Sequence, residues 1–319
     1  MALAAPWLLL AQPQRPTVLS RLIWFDRNGT RLNGIGPIAD HGNLELSPDG
    51  TRVAVAVARR AGEPRDLWIY DTNTGARTQF TSEPSDENWL VWSADGRRVI
   101  GNSFGGERLA LFEAPVNDSN TRTTLLTDRD GKWPVSLSSD GRFLLYVTNT
   151  PETSNDIWVL PLRERGRPYP FLRSEASENW ASFSPDGKWV AFSSTEGGQA
   201  EVYVAAFPSN GRHWRVSADG GSQARWRRDG KEIFYVAPDR TLMAVSVVVS
   251  RREFSVAEYR PLFRMQYPYG AYHAFDVTTD GQRFLVNTVV VNPSSSIVAS
   301  LEAGLPPSPR LRRTAVARR

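Results

Sequence analysis

The dipeptide Asp-Gly returns at Asp49-Gly50, Asp95-Gly96, Asp140-Gly141, Asp186-Gly187, Asp229-Gly230 and Asp280-Gly281, in steps of 46, 45, 46, 43 and 51 residues. Nothing else in the chain restricts its folding so strongly. Four strands of about five or six residues plus four short connections come to roughly forty-five residues, the size of one propeller blade. The stretches "ENWLVWSADGRRVIG" (Glu87–Gly101) and "ENWASFSPDGKWVAF" (Glu178–Phe192) are near twins, two blades with one between them.

Each unit has the same internal order. A short strand carries an apolar residue three before the Asp: Leu46, Trp92, Leu137, Phe183, Trp226 and Val277. The turn follows, written SPDG, SADG, SSDG, SPDG, RRDG and TTDG. Gly supplies the positive φ of a tight hairpin, and the Asp carboxylate accepts from nearby N–H groups. A more apolar second strand comes next ("RVAVAV", "WVAFSS", "EIFYVA"), then a third ("DLWIYD", "DIWVLP", "EVYVAAF"). Its large residue (Trp68, Phe112, Trp158, Tyr203, Met243) is expected to pack between neighbouring blades. Little of the chain has helical period. The fold expected is all-β, a six-bladed β-propeller of four-stranded blades.

Ring closure is expected from both ends of the chain. "RLIWFDRNGTRL" (Arg21–Leu32) reads as third and fourth strands, while "RFLVNT" and "SIVASLE" read as second and third. Joining them completes the last blade and removes exposed edges. Seven blades is the alternative, with Arg21–Leu32 the remnant of a truncated one. Residues 1–20 are read as an apolar linker segment or a degenerate secretory signal, since Pro6 interrupts the run and no Lys or Arg precedes it. Residues 21–304 form the propeller and 305–319 a Pro/Arg-rich disordered tail.

The net charge of +4 suggests nucleic acid, but Arg310, Arg312, Arg313, Arg318 and Arg319 sit in that tail without an acid. Removing those five leaves −1 for the remainder. The body has no basic surplus for phosphates, and no nucleic-acid partner is expected. The longest strongly apolar run, Leu242–Val249, is too short to cross a bilayer. Cysteine is absent, which excludes disulfides and thiolate chemistry.

"LSPDGTRVAVA…DLWIYD", "FSPDGKWVAFSS…EVYVAAFP" and "ARWRRDGKEIFYVAPDRTLMAVSV" resemble the WD-like repeats of TolB-type propellers. They are most similar to the propeller that follows the kinase domain in some bacterial serine/threonine protein kinases, and "FDVTTDGQRFLVNT" is also typical of that group. The resemblance covers Arg21 to about Gly304. It implies a binding or sensing module facing the outside of the cytoplasmic membrane, hence a periplasmic or extracytoplasmic location and a protein or peptide partner, with a small ligand as the alternative. It does not imply kinase activity: the chain has no Gly-rich phosphate loop, HRD-type loop or DFG. The N-terminal α/β domain of TolB proteins has no counterpart here.

Candidate chemistry is sparse. "GNSFG" (Gly101–Gly105) has the G-x-S-x-G form, but a nucleophile elbow needs a strand before it and a helix after it. Ser103 is expected in a strand-to-strand connection. "DRNG" (Asp26–Gly29) and "TDRDGKW" (Thr127–Trp133) lack the later acidic ligand of a calcium loop and are read as hairpin turns. His41, His213 and His273 are too scattered for a zinc pattern. No catalytic residue, metal or cofactor is expected.

The stronger expectation is geometric. First strands line the central channel, so residues about four to seven before each Asp-Gly are expected to ring one mouth: Asn43, Glu45, Asn88, Trp89, Trp133, Asn179, Trp180, Gln223, Arg225, Tyr272 and His273. His41, Glu87 and Glu178 come from the preceding loops. Three Trp with amides and charges suit a ligand pocket; alternatively the Trp wedge blades apart and the amides cap strand ends. A propeller enzyme, metal-dependent or the propeller half of a prolyl-oligopeptidase-like hydrolase, is the competing function. A truncated kinase sensor is the third.

Overall fold

A computed structural model describes residues 18–290 apart from 61–62, 83–84, 106–107, 129, 164–165, 250–252 and 269–272. Six four-stranded antiparallel sheets, all hydrogen-bonded neighbour to neighbour, form six blades. Blade 1 comprises β3 (His41–Leu46), β4 (Arg52–Ala58), β5 (Arg65–Asp71) and β6 (Arg77–Gln79). Blade 2 comprises β7 (Leu90–Trp92), β8 (Arg98–Gly105), β9 (Arg108–Pro115) and β10 (Thr123–Asp128). Blade 3 holds β11 (Lys132–Leu137), β12 (Phe143–Thr150), β13 (Ser154–Pro161) and β14 (Tyr169–Leu172). Blade 4 holds β15 (Glu178–Phe183), β16 (Trp189–Ser194), β17 (Glu201–Ala206) and β18 (His213–Arg215). Blade 5 runs β19 (Ser222–Trp226), β20 (Glu232–Val236), β21 (Thr241–Val249) and β22 (Phe254–Arg264). Among the described residues, one short 3₁₀ turn at Ser119–Thr121 is the sole helical element.

Blade 6 closes the ring with strands from both ends of the described chain. Its order is β2 (Arg31–Ala39), β1 (Ser20–Asp26), β24 (Arg283–Val289), β23 (Phe275–Val277). The β1–β24 ladder is unbroken from Ser20↔Val289 to Asp26↔Arg283. β1 therefore occupies the third-strand place for which "SIVASLE" (Ser296–Glu302) also competed, and that stretch lies outside the described residues. Arg21–Leu32 is part of blade 6 and not the remnant of a seventh blade.

Each Asp-Gly pair turns the first strand of a blade into the second. All six glycines sit at φ between 66° and 71°. In five turns a hydroxyl two residues before the Asp completes the device. Ser47, Ser93, Ser138, Ser184 and Thr278 donate to the Asp Oδ1 at 2.5–2.7 Å. The same Oδ1 accepts the N–H two residues on, at 3.0–3.1 Å. The fifth turn has Arg227 instead, whose guanidinium grips both Asp229 oxygens at 2.7 Å. These bonds favour the carboxylate and hold Asp49, Asp95, Asp229 and Asp280 below the ordinary range. A Cβ at Gly50 would meet nothing within 4 Å, so only its φ of 70° resists substitution. Gly50→Ala should cost about 1–2 kcal/mol, read as a lowered midpoint of thermal unfolding, with Gly50→Asn closer to wild type.

The core is divided among the blade interfaces. One apolar cluster joins blades 6 and 1 through Leu22, Trp24, Leu44, Val55, Tyr70 and Leu285. Five more join the remaining adjacent pairs in turn. The large third-strand residues belong to these clusters as expected, Phe112 and Tyr203 buried and Trp68, Trp158 and Met243 partly so. Each fully buried apolar side chain contributes about 1.5–3 kcal/mol, which no blade gains without its neighbour.

Candidate functional site

First strands meet around the axis, and in four blades the residue four before the Asp helps to join them. Asp276 Oδ2 of blade 6 accepts the Leu46 N–H of blade 1 at 2.8 Å. Glu45 Oε1 of blade 1 accepts from Trp92 N of blade 2 at 3.3 Å. Ser136 Oγ of blade 3 accepts from Phe183 N of blade 4 at 3.0 Å. The carbonyls of Glu45 and Ser182 take the indole N–H groups of Trp92 and Trp226 in the next blades, at 3.0 and 3.1 Å. The first three are backbone donors on the inner edge of a first strand, which a polar side chain at this offset satisfies as a seam; the last two are indole donors held by backbone carbonyls.

The mouth residues separate into two kinds. Four amides are seams. Asn88 Oδ1 accepts from Asn43 N at 3.2 Å, Asn43 Oδ1 from His273 N at 2.9 Å, Gln223 Oε1 from Ala274 N at 2.9 Å, and Asn179 Oδ1 from Asn155 Nδ2 at 3.1 Å. Gly42 permits the first of these, because a Cβ there would lie 2.1 Å from Asn88 Oδ1. Trp89 is buried and reaches across the mouth: its ring lies 5.3 Å from His273 of blade 6 and 6.4 Å from Trp133 of blade 3. Trp133, Trp180 and Arg225 are half-buried, on blades 3, 4 and 5. Trp89 and His273 thus pack edge to face across blades 2 and 6, while the two other indoles and the Arg225 guanidinium keep partial exposure. Tyr272 lies outside the described residues.

The first strands kink here. Ladder registers shift between Asn179 and Ser182 and between Ser222 and Arg225, and Trp180 and Gln223 take φ of 52° and 59°. Such left-handed backbone costs on the order of 1–3 kcal/mol for residues other than Gly, and bulges of this kind re-aim side chains.

Below the mouth three ionisable side chains, Glu45, Arg225 and Asp276 of blades 1, 5 and 6, converge. Arg225 Nε stands 3.7 Å from Asp276 Oδ1, and its Nη2 donates to His273 Nδ1 at 2.8 Å. Burial, then Arg225, keeps the His273 imidazole neutral, its pKa well below the ordinary value. Burial pushes the Glu45 carboxyl up to about 8 against the pull of Arg225, and Asp276 adds to the rise. Among the described residues Glu45 Oε2 is buried without a hydrogen-bond partner. Asp276, by contrast, has both oxygens engaged by backbone N–H groups.

The remaining candidates lie at the rim. Glu178 opens β15, accepts from Ser174 Oγ at 2.5 Å, and is pushed up to about 7 by burial and by Asp156. Glu87, fully buried, takes Arg122 Nη1 at 3.3 Å. His41 is buried against Ser20, and burial lowers it to about 4. His213 meets Glu196 at 2.8 Å on blade 4.

Two expectations need correction. Ser103 lies inside β8, paired with Ala110 of β9, not in a connection, because β8 continues to Gly105. Thr127–Trp133 is not a hairpin turn: it joins β10 of blade 2 to β11 of blade 3. Asp26–Gly29 is the expected turn, with Asp26 Oδ1 accepting from Asn28 N and Thr30 N. On the opposite face, by the Asp-Gly turns, a groove of ≈ 1040 Å³ opens between blades 4 and 5, lined by Trp189, Phe207, Trp226 and Val248 under Lys188 and Lys231.

Ser136 and Asn287 were not among the mouth residues expected. Ser136 shares the four-residue offset that marks Glu45. Asn287, which donates from Nδ2 to the carbonyls of His41 and Gly42 at 3.1 Å, has no sequence signal.

No family model matches the chain. In sequence it is 26% identical over 150 residues to an uncharacterized peptidase of Bacillus subtilis, YuxL; the match takes in 46% of this chain and 20% of that protein. Among solved structures it resembles a TolB from Agrobacterium tumefaciens (TM-score 0.68, 16% identity, 86% of this chain and 100% of that one). It also resembles TolB from Acinetobacter baumannii (0.55, 19%, 76% and 65%). An oligogalacturonate lyase in complex with manganese is similar at 0.51 (15%, 83% and 76%). The chain spans a fifth of the Bacillus relative and just under two thirds of the Acinetobacter protein. At these identities the structural likeness establishes the fold, a TolB-type six-bladed propeller.

Proposed function

We propose that the chain is a non-catalytic binding or sensing module that recognises a protein, peptide or small ligand at the channel mouth. It would serve a bacterial signalling or envelope system outside the cytoplasm. One observation carries this reading: first strands with shifted register carry Trp133, Trp180 and Arg225, all half-buried, on three successive blades, and Trp180 and Gln223 hold positive φ. Strain held at a site whose other polar groups are tied into seams points to recognition at that site. The TolB-type fold and the kinase-linked resemblance support an extracytoplasmic sensor. An in-frame kinase and membrane span in the DNA upstream of Met1 would identify the parent arrangement.

The test is a thermal-shift screen over peptides, sugars and cell-wall fragments, with a pull-down from envelope extract. Trp133→Ala and Trp180→Ala should each weaken a binder on the order of tenfold, the usual scale for an aromatic anchor, while the two variants keep a cooperative melt. No shift with any compound and no captured partner would end this reading.

A propeller enzyme is the second reading, and Glu45 favours it. A carboxyl held near 8 beside an arginine in a channel suits a general acid. A hydrolase and lyase panel on wild type and Glu45→Gln decides: activity abolished in the variant would replace the first proposal.

A further inference from the structure

We infer that the mouth takes a ligand carrying a carboxylate, seated on Arg225 with the indoles of Trp133 and Trp180 against the body to which the carboxylate is attached. This rests on the mouth being the binding site.

Three observations lead to it. Arg225, a cation on the first strand of blade 5, has a side chain 12% exposed, and the first strands of blades 3 and 4 carry the half-buried Trp133 and Trp180. Within the described chain its hydrogen bonding is one-sided: Nη2 donates to His273 Nδ1, while Nε has only an ion-pair contact with Asp276, 3.7 Å away. A guanidinium fork presents five donors and matches a carboxylate two at a time, so this geometry leaves capacity for a bidentate partner.

The surrounding charges do not already meet that need. Asp276 accepts from Leu46 N and Val277 N, and His273 is neutral. Glu45 is protonated at neutral pH, since burial carries it to about 8. The cluster is therefore close to neutral when the channel is free of ligand, and a carboxylate entering it meets one anion partly satisfied by backbone N–H groups. A cationic ligand would meet the Arg225 guanidinium itself. Above pH 8 Glu45 gains its charge, and carboxylate affinity is expected to fall there.

Shared chemistry allows two sources, a peptide and a sugar acid, so the test uses matched pairs. Tryptophan fluorescence titrations would compare N-acetylphenylalanine with its amide, and trigalacturonate with its methyl ester. At least one acid should bind on the order of tenfold more tightly than its neutral counterpart, and the pair that does so identifies the source. Arg225→Gln keeps a donor for His273 and should erase the preference, with Arg225→Lys intermediate; melting curves verify that both fold. Trp180→Ala should weaken acid and neutral ligands alike. Equal binding of acid and neutral forms, an unchanged preference in Arg225→Gln, or no binding of either acid overturns the inference. Binding of a neutral compound that depends on Trp133 and Trp180 but not on Arg225 would remove this inference while leaving the mouth as the site.

Discussion

A chain started at residue 40, without β1 and β2, should fail to form the ring. β1 is the third strand of blade 6, and its seven-residue ladder with β24 joins two segments more than 250 residues apart in sequence. Its loss strips Leu22, Ile23 and Trp24 from the core, and the loss of β2 removes Ile35; all four are at most 3% exposed. At about 1.5–3 kcal/mol each the deficit is roughly 6–12 kcal/mol. A whole domain is stable by only about 5–15 kcal/mol, so the loss is comparable to everything the fold has. Loss of the strands also leaves β24 with an unpaired outer edge, a template for aggregation. The truncated protein should elute as aggregate or as an expanded species without a cooperative melt. Adding a peptide of residues 18–40 during refolding should restore a monomer that melts cooperatively. A truncated protein with wild-type melting behaviour would show that blades 1 to 5 are self-sufficient and that closure is incidental.

That closure was legible because its signal is local. "RLIWFDRNG" reads as two strands and a turn wherever it sits, and the six Asp-Gly turns read equally well, since each is made by residues within five positions of one another. The mouth was legible only as a set of positions. Counting back from Asp-Gly placed Asn43, Asn88, Asn179 and Gln223 on or beside first strands. It could not reveal that their amides would stitch strands together: Asn43 joins His273, 230 residues away, and Gln223 joins Ala274 across a blade boundary. Nor does a sequence record that Trp180 and Gln223 adopt left-handed backbone, which determines where their side chains point. Among the three Trp read as either wedges or ligand surfaces, Trp89 is buried against blades 3 and 6, whereas Trp133 and Trp180 are half-buried.

Substituting Glu45 by Gln should change how stability depends on pH more than any other single replacement. Two opposing sets of buried groups determine that dependence in wild type. Glu45 and Glu178 have folded pKa values raised from 4.5 to about 8 and about 7. Their folded states retain protons that the unfolded chain gives up, so stability falls as pH rises through that window. His41, lowered from 6.5 to about 4, and His273, lowered well below 6.5, act the other way. Their contribution is complete above pH 6.5 and disappears as pH falls through the folded values. Between 4.5 and 6.5 the two sets largely cancel. Above 6.5 the histidines have nothing left to add, and the carboxyls alone set the slope. Wild type should therefore hold a plateau of stability between about pH 4.5 and 6.5 and weaken toward 8.5. At about 1.4 kcal/mol for each pKa unit, the Glu45 shift has a ceiling near 5 kcal/mol; relaxation around the channel brings the expected loss to about 2–3 kcal/mol. Glu45→Gln keeps an acceptor for the Trp92 N–H and cannot ionise. Denaturant melts from pH 5 to 9 should show it nearly flat above 7 and more stable than wild type at 8.5, with Glu178→Gln correcting only the part of the fall that lies below about 7. A variant that tracks wild type across the whole range would mean that Glu45 is ionised in the folded ring, paired with Arg225, and that the channel floor carries a net negative charge at neutral pH.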